Sequence, residues 1–280
     1  MSQTAIGIMQ GRLSPPENGR FQSFPRNSWR EEIVRAREAG LDYIEWIYDD
    51  YGSSANPITA EEGIAELNSL KKKYGIGTPA ICGDWLMDFP LLRCGDEERA
   101  KREHVLHQLL GWGRKIGASR LVLPFVDTSA IKTEEEKRIA LRILESALPV
   151  SEETGVEMHL ETDLGPSDFG HFLARIPHTM IKVNYDIGNS SGLGYIAREE
   201  FASYGDRIGS IHIKDRRRTQ NGAVITKPLG EGSADFEDVF ASIRNVGYSG
   251  GFTLQVARGE EGDEVNWAKQ QIAFVRRHWV

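Results

Sequence analysis

The chain has 280 residues, of which 40% are hydrophobic and 27% charged, and this is enough for one sizeable core. Its formal net charge of −7 argues against a nucleic-acid partner, because an acidic surface repels phosphate polymers. Cys82 and Cys94 are too few for a disulfide framework, so we predict free thiols in a cytoplasmic protein. The chain shows neither an export signal nor the run of about 18 apolar residues that a membrane span needs.

Apolar, β-prone runs alternate with helical stretches along the chain, with no domain-sized break in composition. Thr133, with Glu136 three residues on, is the predicted N-cap of one helix, and Gly117 is the predicted end of another. In chain order, strand and helix in turn, the predicted elements are residues 5–9, 28–39, 43–48, 59–73, 78–83, 96–116, 120–126, 133–154, 156–161, 167–175, 181–186, 199–204, 208–214, then, after a long loop, 236–245, 252–256 and 265–278.

This alternation of strands and helices predicts a parallel sheet with right-handed crossovers. About eight consecutive units predict one closed (β/α)8 TIM barrel, an α/β fold, as a single domain over residues 1–280. The alternative is an open doubly wound sheet, which should carry a glycine-rich phosphate loop after its first strand. The first predicted strand is instead followed by Gln10-Gly11-Arg12, so we favour the barrel.

Polar residues stand at the downstream ends of the predicted strands, where a TIM barrel places its active site. They are Arg12, Glu45, Asp84, Asp127, His159, Glu161, Asn184, Asp186, His212, Lys214 and Gln255. If the strand faces point into the barrel mouth, four side chains from consecutive strands converge: Glu161, Asp186, His212 and Gln255. Two carboxylates, an imidazole and an amide oxygen suit Mn²⁺, Mg²⁺, Co²⁺ or Zn²⁺, so we predict a divalent metal site there.

Four short motifs occur in order along the second half of the chain: His159-Leu160-Glu161, Tyr185-Asp186-Ile187-Gly188-Asn189, Ile211-His212-Ile213-Lys214-Asp215 and Leu229-Gly230-Glu231-Gly232. Their order and spacing resemble the xylose isomerase-like TIM-barrel superfamily, in particular its sugar-phosphate isomerase/epimerase branch. The resemblance implies metal ligands at Glu161, Asp186 and His212. It implies a fourth ligand on the last strand, where this chain has Gln255 and the family usually has Glu.

The glutamine changes what the resemblance implies about mechanism. In similar epimerases two Glu ligands also act as acid and base on opposite faces of the substrate carbon, and an amide cannot take a proton near neutral pH. We therefore predict a one-base isomerisation through a cis-enediol, or a dehydration, rather than a symmetrical two-Glu epimerisation. Glu161 is the predicted base, and Lys214, His159 or a metal-bound water is predicted to move the second proton. For His159, a structural position in the core remains open.

Further residues are predicted to contact the substrate: Arg12, Glu45, Trp85, Asn189, Arg218 and Lys227. The basic residues among them are candidates for a phosphate or carboxylate, and Trp85 for the apolar face of a sugar. For Glu45, a buried carboxylate that ties neighbouring strands together is an equal alternative. Of the run 216–218 we expect at most one arginine to enter the site.

The segment 188–192 matches the Gly-x-Ser-x-Gly pattern of esterases, but we predict a glycine-rich loop there rather than the strong helix that follows a nucleophile elbow. A serine hydrolase is therefore disfavoured. The first hypothesis is a metal-dependent isomerase or epimerase of a sugar, sugar phosphate or related keto-polyol. The alternatives are a keto-inositol dehydratase, an endonuclease IV-like nuclease and a binding protein whose metal site has decayed. We expect a small carbohydrate as partner; the oligomeric state stays open, a homo-oligomer included.

Overall fold

The computed structural model describes residues 4–279 as a barrel of eight parallel strands surrounded by helices. Two further strands, β8 and β9 below, form a separate sheet. In chain order the strands are β1 (Ile6–Met9), β2 (Tyr43–Ile47), β3 (Ala80–Cys82), β4 (Arg120–Phe125), β5 (Glu157–Thr162), β6 (Ile181–Asp186), β7 (Ile208–Ile213), β8 (Asp215–Arg218), β9 (Val224–Lys227) and β10 (Phe252–Leu254). Strand β1 pairs with both β2 and β10, and these two contacts close the barrel. The predicted (β/α)8 TIM barrel is confirmed.

The helices cover the outside of the barrel and bury their apolar faces against the strands. They are α1 (Trp29–Ala39), α2 (Glu61–Tyr74), α3 (Trp85–Asp88), α4 (Asp96–Ile116), α5 (Glu134–Thr154), α6 (Pro166–Ala174), α7 (Ile187–Leu193), α8 (Ala197–Tyr204), α9 (Phe236–Asn245) and α10 (Glu264–His278). The predicted cap is confirmed, since the Thr133 hydroxyl accepts the backbone N–H of Glu136 at 3.1 Å. None of the helices within residues 4–279 is long and apolar enough to cross a bilayer.

Two predicted loops contain regular structure. The long loop after β7 holds the antiparallel hairpin of β8 and β9, in which Asp215 pairs with Lys227. Residues predicted as a glycine-rich loop form α7, which begins where the Asp186 carboxylate accepts the backbone N–H of Asn189 at 2.8 Å. A Cβ on Gly188 would lie 2.7 Å from Lys214 Cγ, so this glycine is needed for close packing of α7 on the strand end. Tertiary contacts thus override the weak helix propensity of the segment.

The loop between β1 and α1 lies over the barrel mouth and is anchored from below by a buried carboxylate. Glu32, in α1, accepts the backbone N–H groups of Gly11 and Leu13 at 2.8 and 3.0 Å and the Ser14 hydroxyl at 2.8 Å. Because three donors converge on one buried side chain, Glu32 fixes the path of the loop that carries Arg12 and Gln22.

Replacing Glu32 with Leu should therefore destabilise the protein. The substitution leaves buried donors without partners, and each such group costs about 1–3 kcal/mol. We expect urea unfolding to show a free energy of unfolding lower by at least that amount. The matched control is Glu31→Leu at the exposed neighbouring position, which should change stability little. Equal effects of the two substitutions would contradict the anchoring role of Glu32.

Candidate metal centre

Three of the predicted metal ligands meet at the mouth of the barrel. Glu161 lies near the end of β5, Asp186 is the last residue of β6, and His212 lies near the end of β7. One ligand atom from each, two carboxylate oxygens and an imidazole nitrogen, lies within 4.8 Å of the others, and all three side chains are buried. The three residues belong to neighbouring parallel strands, so the barrel itself brings them together.

The His212 ring is oriented by a buried carboxylate on the opposite side. Its Nε2 lies 2.7 Å from Glu45 Oε1, while its Nδ1 lies 3.5 Å from Glu161 Oε2 and 3.8 Å from Asp186 Oδ2. Burial opposes protonation of the ring, whereas the charge of Glu45 and hydrogen bonds to the site carboxylates favour it, and the pKa of His212 is raised well above its ordinary value. Nδ1 is thus the nitrogen that faces the two carboxylates.

Two asparagines hold the Glu161 carboxylate. Asn184 donates an amide N–H to Oε2 at 2.9 Å, and Asn189 donates one to Oε1 at 2.6 Å. Arg216 in turn donates to the side-chain oxygen of Asn189 at 2.7 Å, which fixes the amide so that its nitrogen faces Glu161. Each oxygen of Glu161 therefore has a defined donor, and the carboxylate is held in one orientation.

The Lys214 ammonium and the Gln255 amide lie next to Asp186, at the edge of the group formed by Glu161, Asp186 and His212. Lys214 Nζ lies 3.4 Å from Asp186 Oδ2 and donates to Gln255 Oε1 at 3.0 Å. The amide nitrogen of Gln255 donates to Gln22 Oε1 at 3.1 Å. The Lys214 ammonium lies between Asp186 and the Gln255 oxygen. The negative charge and the oxygen atoms at this position therefore suit a positive ion.

The donor set fits a divalent metal ion. Two carboxylates and an imidazole nitrogen suit Zn²⁺, Mn²⁺ or Mg²⁺, and each ligand is supported by a second group that orients it. Glu45 supports His212, the two asparagines support Glu161, and the backbone of Asn189 supports Asp186. These contacts hold the three side chains in place, with Nδ1 of His212 facing Glu161 and Asp186.

A profile of the family described as "Xylose isomerase-like TIM barrel" matches residues 33–278. This chain belongs to that family. The predicted resemblance is therefore confirmed, and it extends over most of the chain.

The chain is similar to the L-ribulose-5-phosphate 3-epimerase UlaE of Salmonella paratyphi C. It is 23% identical over 263 residues, which cover 88% of this chain and 90% of the relative. Two solved structures share the fold. The IOLI protein with a bound zinc atom is 14% identical, with a TM-score of 0.78 and 99% of both chains covered. A xylose isomerase-like TIM-barrel protein from Mycobacterium smegmatis in complex with magnesium is 16% identical, with a TM-score of 0.70, 99% of this chain and 96% of that chain covered.

Within this family fold, two predicted site residues lie below the mouth rather than in it. Glu45 is fully buried, and its carboxylate contacts His212 and accepts the Thr253 hydroxyl at 3.2 Å. The predicted substrate contact is thus corrected to the alternative, a carboxylate that ties strands together. His159 is also buried, with its ring nitrogens 2.8 Å from Ser210 Oγ and 2.9 Å from Glu157 Oε2. Its predicted proton transfer is corrected likewise, because neither nitrogen faces Glu161.

Arg12 is buried and used by the chain itself. Its guanidinium donates to the carbonyls of Val256 and Phe21, both at 3.0 Å, and to Gln22 Oε1 at 2.9 Å. Burial, together with the nearby charge of Arg258, lowers the pKa of Arg12 to about 9. The predicted phosphate contact is corrected to a structural one, since Arg12 holds the loop that carries Gln22.

The remaining predicted substrate contacts lie in different places. Trp85 follows β3 at the mouth and packs on Phe89, with ring centroids 4.4 Å apart. Asn189 contacts Glu161 directly, as described above. Arg218 lies in the hairpin and donates to the Gly192 carbonyl at 3.2 Å. It also lines an outer cavity of about 560 Å³, and Glu161, Asp186 and His212 are not among the residues that line this cavity. Lys227 lies on the other strand of the same hairpin.

The sequence did not single out Gln22, Asn184 and Arg216 as site residues. Asn184 was visible as a polar strand end, but nothing in the sequence tells that its amide contacts Glu161. Among residues 216–218 it is Arg216, not Arg218, that contacts Asn189, one of the two asparagines that hold Glu161. Gln22 lies in an irregular loop without any periodic signal.

The esterase-like segment has no esterase geometry. The central Ser190 lies inside α7 and donates its hydroxyl to Glu200 Oε1 at 2.6 Å rather than to a histidine. This contact disfavours a serine hydrolase. The predicted glycine-rich loop is itself a helix.

The position of Lys214 predicts the effect of its removal on metal affinity. An ammonium 3.4 Å from a ligand carboxylate repels an incoming divalent ion, so Lys214→Met should strengthen binding of Mn²⁺ by roughly tenfold or more, which corresponds to about 1.4 kcal/mol. Isothermal titration calorimetry measures this directly. Lys227→Met, on the hairpin, is the matched control and should leave the affinity unchanged. Weaker binding in Lys214→Met would contradict the competition.

Proposed function

We propose that this protein is a divalent-metal-dependent epimerase or isomerase of a ketose or ketose phosphate. The observation that carries the proposal is the Glu161 carboxylate, held by two asparagine amides within the group formed with Asp186 and His212. The sequence similarity to L-ribulose-5-phosphate 3-epimerase supports the substrate class. The acidic chain and the two unpaired thiols support a cytoplasmic setting.

In this proposal Glu161, Asp186 and His212 hold the ion, and Gln255 adds its amide oxygen once Lys214 moves away. Zinc or magnesium is the proposed ion, because structures with this fold contain those metals. When bound, a divalent ion polarises a carbonyl and its neighbouring hydroxyl and makes the adjacent C–H group more acidic. Glu161 takes that proton, and its two asparagine contacts set the direction from which it approaches the carbon.

Lys214 is the proposed partner for the substrate oxygens. Its ammonium lies at the same side of the group as Gln255 and is largely buried, so it is placed to donate to an oxygen that gains negative charge. Trp85 is the proposed apolar wall for the sugar, and Arg218 and Lys227 are the proposed contacts for a phosphate, if the hairpin closes over the mouth.

Solvent-deuterium exchange tests the proposal. The metal-loaded protein is incubated in D₂O with a panel of ketopentoses, ketohexoses and their phosphates, and deuterium at the carbon next to the carbonyl is followed by NMR. We expect exchange that stops on treatment with a chelator and returns with Mn²⁺, Mg²⁺ or Zn²⁺. Glu161→Gln should lower the exchange rate at least about a hundredfold, because it removes the base.

The matched control is Glu153→Gln on the exposed face of α5, which should exchange at the rate of the unchanged protein. Exchange that survives both chelation and Glu161→Gln would contradict the proposal. Loss of water from a keto-inositol, without exchange into any ketose, would instead identify a dehydratase.

A further inference from the structure

The barrel mouth contains a carboxylate outside the metal group, at Asp84. It follows β3, in which Cys82 pairs with Val122 of β4, and Val122 in turn pairs with His159 of β5. Asp84 and Glu161 each lie two residues beyond these paired positions, toward the mouth of the barrel, and one strand separates β3 from β5. Asp84 therefore lies at the same end of the barrel as Glu161, and its side chain is partly exposed.

The bonds of Asp84 differ from those of Asp49 and Asp186 nearby. Its oxygens accept the amide N–H of Gln22 at 2.8 Å and the thiol of Cys82 at 3.1 Å. Asp49 is instead tied to two backbone N–H groups, and Asp186 to a backbone N–H and the Lys214 ammonium. Among residues 4–279 only neutral side chains bond to Asp84, so within this part of the chain no salt bridge or backbone cradle holds it permanently ionised.

A chain of hydrogen bonds joins Asp84 to the position where the family usually has a second Glu. Lys214 donates to Gln255, Gln255 donates to Gln22, and Gln22 donates to Asp84. When Asp84 is ionised, the two ends fix the direction of every step, because an ammonium can only donate and a carboxylate can only accept. A Glu at position 255 would lack the N–H that Gln22 accepts, so the glutamine belongs to a network that ends in a carboxylate.

We propose that Asp84 is the second proton-transfer residue of this site, acting on the face of the substrate carbon opposite Glu161. The inference rests on the proposed function, since it assigns the second half of an epimerisation. It places the missing carboxylate just after β3 instead of on the last strand, and it removes the reason to restrict the chemistry to one base.

For the epimer whose hydrogen faces Glu161, the Glu161 carboxylate takes the proton, the C–H electron pair forms the C=C bond of a planar enediolate, and the carbonyl π electrons move to oxygen. The protonated Asp84 then delivers its proton to the opposite face, a new C–H bond forms and the carbonyl is restored. Glu161 ends protonated and Asp84 ionised, and exchange with water returns both to their starting forms.

The environment of Asp84 suits both forms. Burial raises the pKa of Asp84 to about 6, with the charges of Asp49 and Glu161 adding to it against the hydrogen bonds of Gln22 and Cys82. A carboxyl group that titrates near neutral pH can both give and take a proton at working pH.

The test uses the metal-loaded full chain, the substrate pair for which the unchanged protein shows exchange, and Asp84→Asn. Each epimer is incubated separately in D₂O, and both deuterium incorporation and formation of the other epimer are followed by NMR. We expect Asp84→Asn to lose epimer formation by about a hundredfold or more. It should still exchange deuterium into the epimer whose hydrogen faces Glu161, with retention, and should not exchange the other. Asp84→Glu should restore part of the inversion.

Controls separate the outcomes. Asp88→Asn, the same change in α3, should keep inversion and exchange, and Mn²⁺ titration with thermal melting reports whether Asp84→Asn folds and binds metal. Inversion at the unchanged rate in Asp84→Asn overturns the inference, as does loss of exchange in both epimers by a folded, metal-binding variant. Loss of inversion with retained exchange in Asp163→Asn instead of Asp84→Asn also overturns it, since that carboxyl, likewise with a pKa raised to about 6, lies just past the end of β5, two residues from Glu161. Failure of the unchanged protein to exchange any ketose would count against the proposed function itself.

Discussion

The buried contact between His212 and Glu45 determines how the barrel mouth can act. Glu45 engages Nε2 at 2.7 Å, which turns Nδ1 toward Glu161 and Asp186. A carboxylate without a charged partner would be costly at the centre of a barrel, so the contact also accounts for the burial of Glu45. The rest of the site surrounds the inward nitrogen, with Glu161 and Asp186 on neighbouring strands and two asparagine amides that hold Glu161.

The amide side chains give the site its asymmetry. On one side, Asn184 and Asn189 donate to Glu161 and leave it as a positioned carboxylate. On the other, Gln255 links Lys214 to Gln22 and onward to Asp84. In the sequence, Gln255 in place of the usual family Glu is only the loss of a carboxylate, whereas in the structure Gln255 also takes part in a hydrogen-bond chain to Asp84. It removes a carboxylate from the last strand, and the same hydrogen-bond chain leads to another one at the mouth.

The barrel was predictable because its signals are local and repeated: alternating apolar and helical periods, glycines at helix ends, and polar residues at strand ends. The meeting of Glu161, Asp186 and His212 at the mouth was predictable for the same reason, since parallel strands bring equivalent ends together. What failed depends on contacts between distant segments. Helix α7 forms because Asp186 caps it and Gly188 allows it to pack on Lys214, although its own residues favour a loop. The polar groups of Glu45, His159 and Arg12 bond to other groups within the protein. The sequence alone does not show which way such a side chain faces.

The most direct measurement of the central claim is anomalous diffraction from crystals of the protein grown with Mn²⁺. We expect a manganese peak bounded by the carboxylates of Glu161 and Asp186 and by Nδ1 of His212, with Glu45 still in contact with Nε2 and the Lys214 ammonium displaced from its position beside Asp186. A peak only elsewhere on the protein, or a manganese bound through Nε2 with the Glu45 contact broken, would contradict the account.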